Sequence, residues 1–171
     1  MHLTQEEKDH LKELALESIR TKFQNEPEPE LGIESETLKE NCGAFVTLKI
    51  RGSLRGCIGL VVGMKPLYKT ITEMARAAAF DDPRFTPLAE KEVDKLEIEI
   101  SVLSPLEKID DPNQIEVGKH GIMMRRGYHS GLLLPQVATE YGWDRKTFLR
   151  HTCLKAGLPE NAYQDLSLIH I

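Results

Sequence analysis

No stretch of this sequence reaches the roughly 18 consecutive apolar residues of a membrane span, so no transmembrane helix is expected. The N-terminus, MHLTQEEKDH, has neither the basic start nor the apolar core of a secretory signal. Cysteine is scarce. Cys42, Cys57 and Cys153 are an odd number with no CxxC pair, which argues against a disulfide framework or a zinc knuckle and fits a reducing cytosol. The expected location is therefore cytoplasmic. The six histidines include no HxH or HExxH spacing, and His2 and His170 lie in the termini, so no metal site is predicted. There is no Walker loop, no Rossmann fingerprint and no GxSxG. That disfavours a nucleotide-cofactor enzyme or a serine hydrolase and leaves any cofactor unknown. A surplus of positive charge is also missing. The formal net charge of −5 disfavours nucleic-acid binding, which needs Lys and Arg gathered on one face, although a local basic patch remains compatible with it.

What is present is an ordinary globular composition, 40% apolar and 29% charged over 171 residues. A chain of this length makes one domain, or two small lobes sharing a core. Thr4 to Phe23 reads as a helix. Thr4 and Glu7 form a capping-box pattern, and Leu11, Leu14, Ala15, Ile19 and Phe23 make one apolar stripe. The segment NEPEPELG ends it, because Pro27 and Pro29 cannot continue a helix. Gly43 to Ile50 and Leu54 to Val61 read as two strands joined by the turn RGS, a hairpin.

Pro66 suits the first turn of a second long helix, with Leu67, Ile71, Met74, Ala75, Ala78 and Ala79 on one face. Pro83 disfavours helical geometry at Asp82 and so ends it. Lys95 to Leu103 alternates without interruption: Leu96, Ile98, Ile100 and Val102 point one way, Glu97, Glu99 and Ser101 the other. Gly121 to Arg126 and Gly131 to Leu134 are further strands around GYHS. A helical turn begins at Pro135, and a last helix runs from a cap at Asp144 to Lys155, stopped by Gly157. Hairpins, few βαβ units and peripheral helices predict an α+β fold with a mostly antiparallel sheet and flanking helices.

The stretch LRGCIGL, Leu54 to Leu60, poses the chemical question. In an extended strand Arg55, Cys57 and Gly59 share one face, while Leu54, Ile58 and Leu60 share the other. A fixed guanidinium beside a thiol favours the thiolate, the nucleophilic form. Gly56 and Gly59 would clear the way for a ligand. Alternatively, Cys57 is a small core residue, since free cysteine is among the most buried types. In DDPRF, Asp82 and Arg84 could wall a pocket, with the Arg84 fork holding a carboxylate or phosphate, or could simply end the helix as a local ion pair. Glu99 could serve as a base if its face fronts a cleft with Cys57, or it belongs to a solvated face. His120, in GKHGI, could pair with the thiol as its base. Gln136 offers an amide to a substrate or to a helix cap. The candidate catalytic residues are thus Cys57, Arg55, Glu99 and His120, and the candidate substrate-binding residues Gly56, Gly59, Asp82, Arg84 and Gln136. Glu99 and Cys57 are expected to open onto one shared cleft.

Taken together, LRGCIG (Leu54 to Gly59), AAFDDPRFTPL, EISVLSPLE, VGKHGI, GLLLPQVATEYGWD and FLRHTCLKAGL resemble the AMMECR domain family, in family order over most of the chain. The shorter prokaryotic AmmeMemoRadiSam branch looks most similar. The resemblance implies a single AMMECR domain over residues 1–171, an α+β fold in two unequal lobes, and two partners: a Memo-like protein and a radical S-adenosylmethionine (SAM) enzyme. It implies no reaction. Members usually continue after KAGL with a tryptophan and a strand of the type F-x-A-E-V-F. Here Tyr163 and DLSLIHI follow, so residues 165–171 read as a truncated or foreign tail whose missing strand would leave a sheet edge unpaired. Two functions from different classes stay open. One is a cysteine-dependent enzyme acting on a small polar or anionic metabolite; the other is a non-catalytic binding or carrier module for the two partners.

Overall fold

The computed structural model describes residues 3–30, 32, 34–165, 167, 169 and 170; Met1, His2, Leu31, Ile33, Leu166, Leu168 and Ile171 lie outside them. The chain divides into two compact units, Met1–Pro105 and Leu106–Ile171. Each has its own apolar core, and each core is built on its own three-stranded antiparallel sheet. The fold is α+β, as the mixture of hairpins and helices predicts. The antiparallel sheet expected from the sequence is two separate sheets, because the strands contribute to two different cores. No helix among the described residues is long and apolar enough to cross a membrane.

In the first unit, α1 (Gln5–Phe23) starts at the expected capping box. The Glu7 amide donates to Thr4 Oγ1 at 3.2 Å, and the Thr4 amide donates to Glu7 Oε2 at 2.9 Å. Leu11, Ala15 and Ile19 of its stripe are buried in the core of this unit, and Leu14 is buried beside them. A four-residue helix, α2 (Glu36–Lys39), follows the proline-rich loop; Ser35 caps it by accepting from the Leu38 amide at 3.2 Å. The hairpin β1 (Ala44–Ile50) and β2 (Ser53–Leu60) turns at Arg51 and Gly52, with φ of 52° and 74°. Positive φ at both central residues is the type I′ geometry that matches strand twist. Then α3 (Leu67–Phe80) crosses over β1 and β2. β3 (Leu96–Val102) closes the sheet in the order β2-β1-β3. Ala44, Val46 and Leu48 of the central strand are fully buried with Leu67, Ile71, Ala75 and Ala78 of α3, which is where the helical and strand periodicities put them.

In the second unit, β4 (Ile122–Arg126) pairs with β5 (His129–Leu133). The turn is Gly127–Tyr128, so it is shorter than GYHS: His129 and Ser130 already pair with Arg126 and Arg125, and Gly127, at φ 58°, makes a two-residue connection feasible. α4 (Pro135–Glu140) and α5 (Arg145–Lys155) follow. Asp144 caps α5 by accepting from the Thr147 amide at 2.7 Å. Gly157, at φ 71°, ends it, with the Leu158 amide reaching back to the Cys153 carbonyl at 2.9 Å. Phe148, Leu149, Thr152 and Ala156 are buried, as expected of the inner face.

The edge expected to be unpaired is not bare. A two-residue strand, β6 (Ile169–His170), pairs with Met123 and Met124 on the side of β4 away from β5. Ile169 is fully buried. Two apolar-flanked residues of DLSLIHI thus suffice to cover the middle of β4.

Candidate functional site

The hairpin register determines where Cys57 points. Counting outward from the Arg51–Gly52 turn, Ile50 pairs with Ser53 and Lys49 with Leu54; the next pair is Leu48 with Gly56. Arg55 has no partner, so it is the extra residue of a β-bulge. Beyond it the alternation inverts. Cys57 stands opposite Thr47 and Gly59 opposite Phe45, on the face away from the buried Ala44–Val46–Leu48 row. Gly56, Ile58 and Leu60 take the core face. Leu54, expected there, instead shares the face of Cys57 opposite Lys49 and is 43% exposed.

The bulge also takes Arg55 away from the thiol it was expected to tune. Its guanidinium forms a two-pronged bond to Glu92, Nε to Oε1 and Nη2 to Oε2, both at 3.0 Å. It also donates to the Thr86 and Pro87 carbonyls. Glu92 accepts from the Ala89 amide as well, at 2.8 Å. These donors, Arg55 foremost, pull the Glu92 carboxyl from its usual 4.5 down to about 2, and Glu92 in turn raises Arg55. The carboxylate that meets Arg55 comes from 37 positions later in the chain.

The cation beside Cys57 is Arg84. β2 is an edge strand, and the outward-facing backbone groups of Cys57 need partners. The helix-ending loop DDPRF supplies them. The Cys57 amide donates to Asp82 Oδ2 at 2.9 Å, and its carbonyl accepts from Arg84 Nη2 at 3.1 Å. Asp82 and Arg84 are themselves joined: Nη2 to Oδ2 at 2.7 Å, Nε to Oδ1 at 3.0 Å, and the Arg84 amide to Oδ1 at 3.1 Å. One ion pair thus stands in for a neighbouring strand at one residue. The Asp82 side chain is buried and the Arg84 side chain 54% exposed. Arg84 and the two backbone donors hold the Asp82 carboxyl well below the usual range despite the opposing cost of burial. Arg84 is raised, chiefly by Asp82 and in smaller part by Cys57.

The two glycines of the motif clear no path for a ligand. A methyl group at Gly56 would run into the carbonyl of Ala78, on α3. At Gly59 it would run into the ring of Phe45, its cross-strand partner, and into the Ala44 carbonyl. The space that the sequence reading left for substrate is filled by the protein, and both glycines serve close packing.

On the thiol's own face Cys57 Sγ lies 3.2 Å from Thr47 Oγ1. Thr47 pairs on its other side with Glu99, so Cys57, Thr47 and Glu99 form one cross-strand row. Glu99 is two strand spacings from Cys57, roughly 9–10 Å, and accepts from Lys49 Nζ at 2.6 Å. Cys57 is half-buried, whereas Cys42 and Cys153 are buried. Burial is the main cause raising both of those thiols, seconded at Cys42 by Glu40.

His120 and Gln136 belong to the second unit. His120 Nδ1 accepts from the Glu116 amide at 3.1 Å, a contact within one turn. Gln136 is the second residue of α4, and its carbonyl accepts from Thr139 Oγ1 at 2.8 Å. Among the described residues, no three of His, Cys, Asp and Glu converge as metal ligands. Three members of the site were missed in the sequence: Thr47, Glu92 and Phe45. Thr47 carried a signal, a polar residue at an alternate position of an apolar strand. Glu92 and Phe45 carried none.

The family model described as AMMECR1 matches residues 12–170. A protein of Methanopyrus kandleri is 46% identical over 166 residues, covering 92% of this chain and 80% of its own. One of Aquifex aeolicus is 47% identical over 141 residues, covering 76% and 72%. The crystal structure of an uncharacterized protein from Pyrococcus horikoshii aligns with a TM-score of 0.86 at 39% identity, over 94% of this chain and 84% of that one. With its fold shared and its sequence matched over nearly its full length, the chain belongs to the AMMECR1 family.

Proposed function

We propose that this protein is a cytoplasmic binding module. In this reading its working surface is the sheet face carrying Cys57, Thr47 and the Asp82–Arg84 pair, and it serves a Memo-like protein and a radical SAM enzyme as partners. The ligand class is a small polar or anionic molecule. Arg84 is half-exposed, and because its Nε–Nη2 edge is taken by Asp82, a ligand carboxylate or phosphate would be met by the outer, Nη1 end of its guanidinium. One observation carries the preference for binding over catalysis. Among the described residues, the Cys57 sulfur is bonded to the Thr47 hydroxyl, and the one carboxylate bonded to this residue, Asp82, is held by the Cys57 amide and by Arg84, so no unengaged base is bonded to the thiol. The test incubates the protein with its two partners and a metabolite extract, then compares wild type with Cys57→Ser and Arg84→Gln. Ligand or partner retention should fall with Arg84→Gln and survive Cys57→Ser.

A second reading, a cysteine-dependent enzyme, draws support from the 3.2 Å contact between Thr47 and Cys57, which leaves the sulfur hydrogen-bonded on a functional-looking face. Product formation that disappears with Cys57→Ser while binding persists would establish it over the first.

A further inference from the structure

The apolar row of β3 is covered unevenly. Ala44 and Val46 of β1 are fully buried, yet their neighbours Val102 and Ile100 on β3 are only partly so. The N-terminal half of α1 flanks them and leaves a trough of about 360 Å³. Its floor is Leu11, Ile100 and Val102, and Leu3 lies at its end. Lys8 and Lys12, one helical turn apart, stand on its rim. Both lysines are exposed, and among the described residues neither has a carboxylate within ion-pair distance. The acid between them, Asp9, accepts both of its side-chain bonds from Gln5 Nε2, at 2.9 and 3.0 Å.

Two like charges at i and i+4 repel. That cost reverses when an anion sits between the ammonium groups. The floor beneath is aliphatic, and the volume falls in the lower part of the roughly 300–1,000 Å³ range of small-ligand pockets. We infer that this trough binds a small anionic amphiphile: its aliphatic tail lies on Leu11, Ile100 and Val102, and its carboxylate or phosphate head is held by Lys8 and Lys12. The site lies on the core-side row of the sheet, opposite the face of Cys57, so the inference stands independently of the reading above.

The test is titration calorimetry on the full chain below micellar concentrations, with decanoate, decyl phosphate, decanol and decyltrimethylammonium. Decanoate or decyl phosphate should saturate one site, and decanol and the cation should bind at least about tenfold more weakly. The tighter of the two anions identifies the head group. The double variant Lys8→Gln with Lys12→Gln should weaken the anion by about tenfold or more, with an unchanged circular dichroism spectrum. Val102→Glu should abolish binding. Failure of both anions to saturate a site overturns the proposal. So does undiminished binding in the double lysine variant, or equal affinity for decyltrimethylammonium.

Discussion

The Cys57 amide donates to a carboxylate of Asp82, 25 residues away, at 2.9 Å. This bond joins the two segments that stood out in the sequence, LRGCIGL and DDPRF, at the free edge of β2. Both Asp82 oxygens are engaged within the protein. Asp82 occupies the position a neighbouring strand would take, with Arg84 completing the pair from the other side of the same residue.

Asp82→Ala should therefore loosen the edge. It removes an acceptor from the Cys57 amide and leaves Arg84 without its main partner, a loss of roughly 2–3 kcal/mol for a charge-assisted bond. Denaturant unfolding gives the loss, and hydrogen exchange should show the Cys57 amide deprotected more than those of β1. Exchange at Cys57 unchanged from wild type would contradict the clamp.

Arg55→Gln should destabilise the protein, because its guanidinium is spent on Glu92 and the Thr86 and Pro87 carbonyls. In the wild type and in this variant Cys57 should label before Cys42 and Cys153, which are buried and raised by that burial. Denaturant unfolding and peptide mapping after brief alkylation test the two statements. Equal labelling of all three cysteines, or Cys57 reacting last, would contradict the exposure of its face.

Gly56→Ala should cost about 1–3 kcal/mol by forcing α3 away from β2, since the obstacle is the rigid Ala78 backbone. Gly59→Ala meets both the Phe45 ring and the Ala44 carbonyl, so Phe45→Ala should relieve only the part of its cost that the ring imposes. A double-mutant cycle between positions 45 and 59 should give a clear coupling, and one between 45 and 56 should give little. Equal coupling at both would argue against the register described above.

Acid should weaken the first unit in a definable window. The Glu92 carboxyl sits lower in the fold, at about 2, than its usual 4.5. The stability it contributes is full above about pH 4.5 and is lost as pH falls toward 2. Asp82 is depressed further, so its contribution is lost at still lower pH. Glu92→Gln should flatten the upper part of this decline in a melting-temperature series from pH 5 to 2. A variant that declines in parallel with wild type would show that another group carries the effect.

Much of the architecture was already legible in local chemistry. Thr4 and Glu7 announced α1, Gly157 its counterpart at the end of α5, and the alternation of Lys95 to Leu103 gave β3 its correct face. These depend on neighbours within a few positions, so counting residues finds them. The site was legible as a set of names but not as an arrangement. Cys57, Asp82 and Arg84 meet, whereas Arg55, Gly56 and Gly59 serve packing and pairing elsewhere. The reason is one inserted residue. A period of two continued through Arg55 would put Cys57 opposite Val46 and in the core; the bulge shifts it to Thr47 and the outer face. Whether a bulge forms there depends on what satisfies the displaced groups. Those partners, Glu92 for the Arg55 side chain and Asp82 for the Cys57 backbone, come from 37 and 25 residues along the chain and are delivered only once α3 has packed across the hairpin.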